Sequence, residues 1–208
     1  MNSARYRKTS VLKYPKTLKV LGISASPRIG GNSDLLLDKA LEGSRSQGAV
    51  AEKIILNSLN IRPCQACGGC DKTGVCIIPD DMCIIYDKID GADAVILSSP
   101  VYFTSLSAQM KAMIDRYQCR WVRKHLLKKK AGSMKKGTFL CVSAAGKRSF
   151  FERCEGVVKA LFNTIDVTYC NHIYLGHLNR KAEVLSDNNS LERAFRLGAS
   201  LVKDRKRR

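Results

Sequence analysis

Long apolar runs are missing from this chain. No stretch approaches the ~18 unbroken apolar residues that a membrane-spanning helix needs, so no membrane association is expected. The N-terminal MNSARYRKTSVLKYPK is basic and lacks the apolar centre of a secretory signal, which points to the cytoplasm. Acidic residues are scarce: 18 Asp and Glu stand against 36 Lys and Arg, for a formal net charge of +18. Aromatic residues make up only 7% and no base-reading motif occurs, so nucleic acid is not the expected partner. Charge alone would give only salt-sensitive, sequence-independent affinity for it. Both G-x-x-x-x-G-K-[ST] and G-x-G-x-x-G are absent, which removes the nucleoside triphosphate and dinucleotide fingerprints. There is no internal repeat, and 208 residues at 45% hydrophobic suit one domain of ordinary size.

The basic residues are not spread evenly. Six lie in the first nineteen positions, ten between 111 and 136 against the single Asp115, and five in the last six. A field of this sign concentrates anionic partners near the surface without selecting among them.

Cysteine is abundant. Nine in a chain without an export signal are not expected to pair as disulfides. Four stand at Cys64, Cys67, Cys70 and Cys76, in CQACGGCDKTGVC, a C-x2-C-x2-C-x5-C spacing. Gly68, Gly69 and Gly74 allow the backbone to bend tightly around them. Three readings fit. The C-x2-C-x2-C run begins the ferredoxin pattern of iron–sulfur ligation. A zinc site usually needs a second Cys pair or nearby histidines, and His125, His172 and His177 lie far along the chain. The third reading is a cysteine-bearing loop without metal. Cys83, Cys119, Cys141, Cys154 and Cys170 sit in apolar segments and are expected as small buried hydrophobes.

Five β-type runs are expected at 17–23, 49–57, 92–100, 137–144 and 166–175, with helical patterns between them and a closing helix over 187–204. Asp80 and Asp81 are expected to open a short helix by accepting first-turn amides. Strands alternating with helices imply right-handed βαβ units. The expected fold is α/β: a flavodoxin-like, doubly wound, five-stranded parallel sheet of order 2-1-3-4-5 with helices on both faces. Residues 1–16 read as a basic flexible extension, 17–204 as the single domain with a cysteine-rich insertion at 63–80, and 205–208 as a basic tail. In such folds ligands bind at the carboxyl ends of the strands. The segments there are SASPRIGGNS, the cysteine stretch, SPVYFTS and SAAGKRS.

SASPRIGGNS has the makings of a phosphate cradle. Ser24, Ser26 and Ser33 supply hydroxyls and Arg28 a cation, while Gly30 and Gly31 let the backbone approach a ligand. A helix starting at Asn32 or Ser33 would face an anion with free amides. An ordinary capped turn fits the same residues. In SPVYFTS, Pro100 stiffens a turn that carries Tyr102 and Phe103, which suits either a flat ring system or a simple core cap.

Taken in order, S-x-S-P-R-x-x-G-N-S, then C-x2-C-x2-C-x5-C followed by DDM, then SPVYFTSLSAQMKAMIDR, resembles the NAD(P)H-dependent FMN reductase family, and more narrowly its iron–sulfur flavoproteins. The resemblance runs over about residues 18–203. It implies FMN, with Ser24, Ser26, Arg28, Asn32 and Ser33 around its phosphate. Pro100, Val101, Tyr102 and Phe103 would lie along the isoalloxazine, and Ser143 to Gly146 would add a third contact. It also implies a 4Fe–4S cluster on Cys64, Cys67, Cys70 and Cys76. SAAGKRSFFE is less glycine-rich than the family pattern, and the N-terminal extension lies outside it.

The function so implied is an FMN-dependent oxidoreductase, an electron-transfer protein passing electrons between a low-potential carrier, the cluster and FMN. NAD(P)H is a possible donor in this reading. An acidic electron carrier such as ferredoxin would suit the basic surface, and a homo-oligomer, dimer or tetramer, is expected. The resemblance names no catalytic acid or base. Two alternatives stand beside it: a cluster-free NAD(P)H-dependent FMN or quinone reductase, and a basic nucleic-acid-binding protein.

Overall fold

The computed structural model describes residues 17–129 and 132–203. The expectations for residues 1–16 and 205–208 fall outside that range. The order is β1 (Lys19–Ser24), α1 (Asn32–Ser46), β2 (Val50–Ile55), α2 (Met82–Gly91), β3 (Ala94–Tyr102), β4 (Ser105–Leu106), α3 (Ala108–Arg116), α4 (Gln118–Trp121), β5 (Lys135–Val142), α5 (Arg148–Thr164), β6 (Val167–Leu175) and α6 (Asn188–Lys203). A π-helical turn over Val122–Leu126 follows α4.

Five strands run parallel in the order β2-β1-β3-β5-β6, which is 2-1-3-4-5 with the two-residue β4 set aside. Successive side chains of the inner strands point to opposite faces. Val20, Ala94, Ile96, Leu140 and Val142 join one core with α1 and α6, whereas Leu21, Ile23, Val95, Leu97, Phe139 and Cys141 join the other with α2, α3 and α5. Burial on both faces is why these strands read as continuous apolar runs. The α1–α6 pair is especially close. A Cβ on Gly43 would stand 1.9 Å from the Phe195 carbonyl oxygen, and one on Gly198 would stand 1.7 Å from that of Ala40.

Three expectations are corrected. First, β4 is an added antiparallel strand. β3 overruns the expected end, the chain reverses at Phe103 (φ 47°) and Thr104 (φ 65°), and Val101 and Tyr102 pair with Leu106 and Ser105. Two positive φ values make this a hairpin turn of the primed kind, normally built from Asn and Gly, which hid it from a propensity reading. Second, Asp81 does not cap α2. Its carboxylate accepts the Asn60 amide at 2.8 Å, and only Asp80 takes a first-turn amide, that of Met82, at 3.1 Å. Third, Cys83 and Cys170 are exposed, whereas Cys119, Cys141 and Cys154 are buried. Cys170 lies on the edge strand β6, beside a register shift. Among the described residues no helix is long and apolar enough to cross a membrane.

Candidate functional site

At the carboxyl edge of the sheet, the loop from Ser24 to Gly31 is held in a tight turn. Ser26 Oγ donates to the Arg28 carbonyl (2.8 Å) and accepts the Arg28 amide (3.1 Å), and the Gly31 amide reaches the same carbonyl at 2.9 Å. A Cβ on Gly31 would collide with both partners at 2.9 Å, so the turn requires glycine there. Helix α1 starts at the next residue, with no side chain capping its first turn. The amides left open at a helix start favour an anion.

Asp34 anchors this turn from below. Its carboxylate pairs with Lys53 at 2.7 Å and accepts the Gly30 amide at 2.9 Å, where Gly30 has φ +71°. Burial pushes the Asp34 carboxyl up, but Lys53 and the Gly30 amide outweigh it and hold the group below its ordinary value. Ser24 Oγ is buried near this pair, and among the described residues no partner lies within hydrogen-bonding geometry.

The first and third loops are stitched together. The Ala25 amide donates to Ser98 O (2.8 Å), Ser107 Oγ to Ala25 O (2.8 Å) and Ser98 Oγ to Ser33 O (2.6 Å). Ser107 also caps α3 through the Met110 amide. Above this floor opens a cavity of about 210 Å³. Of the residues expected to hold FMN, it gathers Ser26, Arg28, Asn32, Ser33, Pro100, Val101 and Tyr102. Four others lie off its lining. Ser24 is buried beneath it, and Phe103 is fully exposed at the hairpin tip. Ser143 donates its amide to Leu175 O at 2.8 Å, and Gly146 (φ +64°) is packed against the His177 ring. The neighbours of Ser143, Val142 and Ala144, line the cavity instead.

The sequence reading missed the remaining wall, Leu178, Asn179, Arg180 and Lys181, which follows β6. The rule that ligands bind after strand ends covers four segments in that reading and leaves out the fifth. Extended to the fifth, it would have reached a basic pair in the right place.

The cysteine stretch borders a second cavity, of about 630 Å³. Cys64, Cys67, Cys70 and Cys76 all line it, opposite Ile114 to Cys119 and the C-terminal turn of α5. Positive φ at Ala66 (49°), Gly68 (69°) and Gly74 (72°) turns the loop back on itself. A Cβ on Gly74 would meet Arg123 Cβ at 2.6 Å, so the loop lies directly on the π-helical turn. Among the described residues no three Cys, His, Asp or Glu side chains are grouped closely enough to hold a metal ion. The thiols share a cavity, and that donor set of four cysteines from one loop matches the chemistry of iron–sulfur ligation.

The neck of the loop is fixed. Arg116 Nη1 pairs with Asp80 Oδ2 at 2.5 Å, both side chains essentially without exposure. Arg116 also donates to the carbonyls of Arg62 (2.8 Å) and Ile78 (3.3 Å), and Asp80 accepts the Arg62 amide at 3.0 Å. Burial drives the Asp80 carboxyl up; the bonds from Arg116 and the Arg62 and Met82 amides bring it below its ordinary value. Beside the neck, Tyr86 Oη donates to Arg116 O (2.6 Å), and the buried Cys119 thiol reaches Tyr86 Oη at 3.4 Å. Burial raises the Cys119 thiol.

The sequence profile of the NADPH-dependent FMN reductase family matches residues 18–177. The iron–sulfur flavoprotein of Methanosarcina thermophila is 37% identical over 116 residues, 56% of this chain and 61% of that protein. An iron–sulfur flavoprotein of Methanocaldococcus jannaschii is 44% identical over 99 residues, 48% of this chain and 51% of that protein. The match thus spans roughly half to three-fifths of the length of each of these relatives. An NAD(P)H:quinone oxidoreductase from Methanothermobacter marburgensis superposes with a TM-score of 0.68 at 18% identity, over 89% of this chain and 98% of that one. At that identity the likeness concerns the fold.

Proposed function

The chain belongs to the NADPH-dependent FMN reductase family, and from that premise we propose that it is an FMN-dependent oxidoreductase carrying a 4Fe–4S cluster. One observation carries the reading: four cysteines on one loop line a single cavity in a flavodoxin-like domain whose carboxyl edge offers a phosphate turn. The naming of the relatives as iron–sulfur flavoproteins supports it.

FMN would bind at the smaller cavity, whose lining suits its phosphate and one edge of its ring. Ser26, Arg28, Ser33 and the open amides of α1 would hold the phosphate, and Pro100, Val101 and Tyr102 would lie along the ring. Cys64, Cys67, Cys70 and Cys76 would hold the cluster. When bound, flavin exchanges electrons in pairs or singly and a cluster exchanges them singly, so together they divide a two-electron transfer. The chain's own part is binding and orientation. The Ser98–Ser33 and Ser107–Ala25 bonds fix the flavin floor, and the Arg116–Asp80 pair fixes the cysteine neck. No acid or base is assigned.

NAD(P)H or a low-potential carrier would supply electrons. The basic stretch 111–136 suits an acidic carrier. Exposed Tyr102 and Phe103 beside the flavin cavity, and Val75 and Ile77 on the cysteine loop, suit burial in a homo-oligomer, dimer or tetramer. The work would be done in the cytoplasm, where thiols stay reduced.

Anaerobic purification with iron, sulfide and flavin analysis tests the proposal. About four irons and four sulfides per FMN are expected. A clean flavin spectrum without iron would replace it with a cluster-free NAD(P)H-dependent FMN or quinone reductase.

A further inference from the structure

We propose that the loop after β6 is a cationic wall of the flavin cavity, in which Arg180 and Lys181 bind a phosphate monoester and make the site select FMN over riboflavin. This inference rests on the flavin reading above and adds two ligand-binding residues just beyond the family match, which ends at residue 177.

The loop is built onto the phosphate turn. Asn32 Nδ2 donates to the Arg180 carbonyl at 2.9 Å, and Asn32 Oδ1 accepts the Val184 amide at 3.1 Å. Both ends of that amide thus dock the loop, so Asn32 positions the wall, with the second Nδ2 hydrogen left over for a ligand. Glu183 Oε2 accepts the amides of Asn179 and Arg180, each at 2.8 Å, which engages the nearest acid with backbone. Lys181 lies over the turn itself: a Cβ on Gly30 would stand 3.9 Å from its Nζ.

Arg28, Arg180 and Lys181 all line the cavity, and all are exposed. Among the described residues no carboxylate stands within ion-pair distance of any of the three. Three exposed cations, of which Arg180 also feels the nearby Glu183 carboxylate, and a helix start thus surround one small space. A phosphate monoester carries about −1.5 to −2 at pH 7, and charge-assisted bonds to it are stronger than neutral ones. Riboflavin lacks that group and gains nothing from this wall.

The test uses the full chain, freed of flavin and titrated with FMN, riboflavin and inorganic phosphate. The double variant R180Q/K181Q should lose roughly 10–100-fold in FMN affinity, leave riboflavin affinity unchanged, and show a shallower salt dependence. R180K/K181R should restore most of the loss. The bonds that dock the loop use Arg180 backbone, so the substitutions keep them. FMN affinity within twofold of wild type, or equal losses for FMN and riboflavin, would overturn the inference. If the wild-type chain bound neither flavin while phosphate still raised its melting temperature through these two residues, the flavin reading would fall and the anion wall would stand. If phosphate also had no effect, both would fall.

Discussion

Arg116 and Asp80 meet at 2.5 Å with their side chains shut off from solvent, and between them they hold both ends of the cysteine loop. Removing one partner of such a pair leaves a buried charge alone. Asp80→Asn should therefore cost about 3–5 kcal/mol in denaturant unfolding and lower the iron retained per chain. Unchanged stability would mean that the neck is held by the backbone alone.

The same carboxylate gives a pH signature. Asp80 and Asp34 are both held below the ordinary aspartate value in the folded chain. Their contribution is complete above that ordinary value and is lost as the pH falls through the folded values. Unfolding free energy should decline on the acid side, below the ordinary aspartate range, and Asp80→Asn should flatten part of the decline relative to wild type. A parallel acid limb in the variant would assign the loss to other groups.

The hairpin tip carries backbone strain that substitution can relieve. Phe103 and Thr104 occupy left-handed backbone that suits Asn and Gly, and Phe103 is fully exposed, so its replacement forfeits no burial. F103N/T104G should raise stability by about 1–2 kcal/mol, read as the unfolding midpoint in denaturant. A lowered unfolding midpoint would show that the native pair is supported by contacts beyond its own turn.

Helices α1 and α6 touch through Gly43 and Gly198, where a single methyl would enter the opposite backbone. Gly198→Ala should destabilise by about 3 kcal/mol or more. Because α1 begins at the phosphate turn, FMN affinity should fall as well. Thermal melts with and without FMN measure both.

Cys70→Ser should abolish iron binding with flavin retained, while Cys83→Ser, on an exposed site outside the cavity, should change neither. Equal iron in the Cys70 variant would remove this cysteine from the ligand set.

Much of the fold is legible because the inner strands are buried on both faces, and Val20–Ile23 and Ala94–Leu97 show that as unbroken apolar runs. The cysteine spacing is likewise visible directly. What the chain conceals is the use made of each polar group. Ser24 looks like a phosphate ligand and is buried below the cavity; Asn32 looks like another and also docks a loop 148 residues away. Asp81 looks like a cap and bonds Asn60. Each alternative partner is distant in sequence, so neither periodicity nor local capping rules could have found it. The turn at Phe103 and Thr104 was hidden for the opposite reason: its residues contradict the local preference of the conformation they adopt.

The bonds at Asn60, Arg62, Ile78, Asp80 and Asp81 close the neck at the two ends of the segment, outside the four cysteines. The cysteine segment is in that sense a cartridge in a fixed socket. A segment of other length or thiol number should seat on the same neck, so that grafting it would change what the scaffold carries without changing the scaffold's own fold.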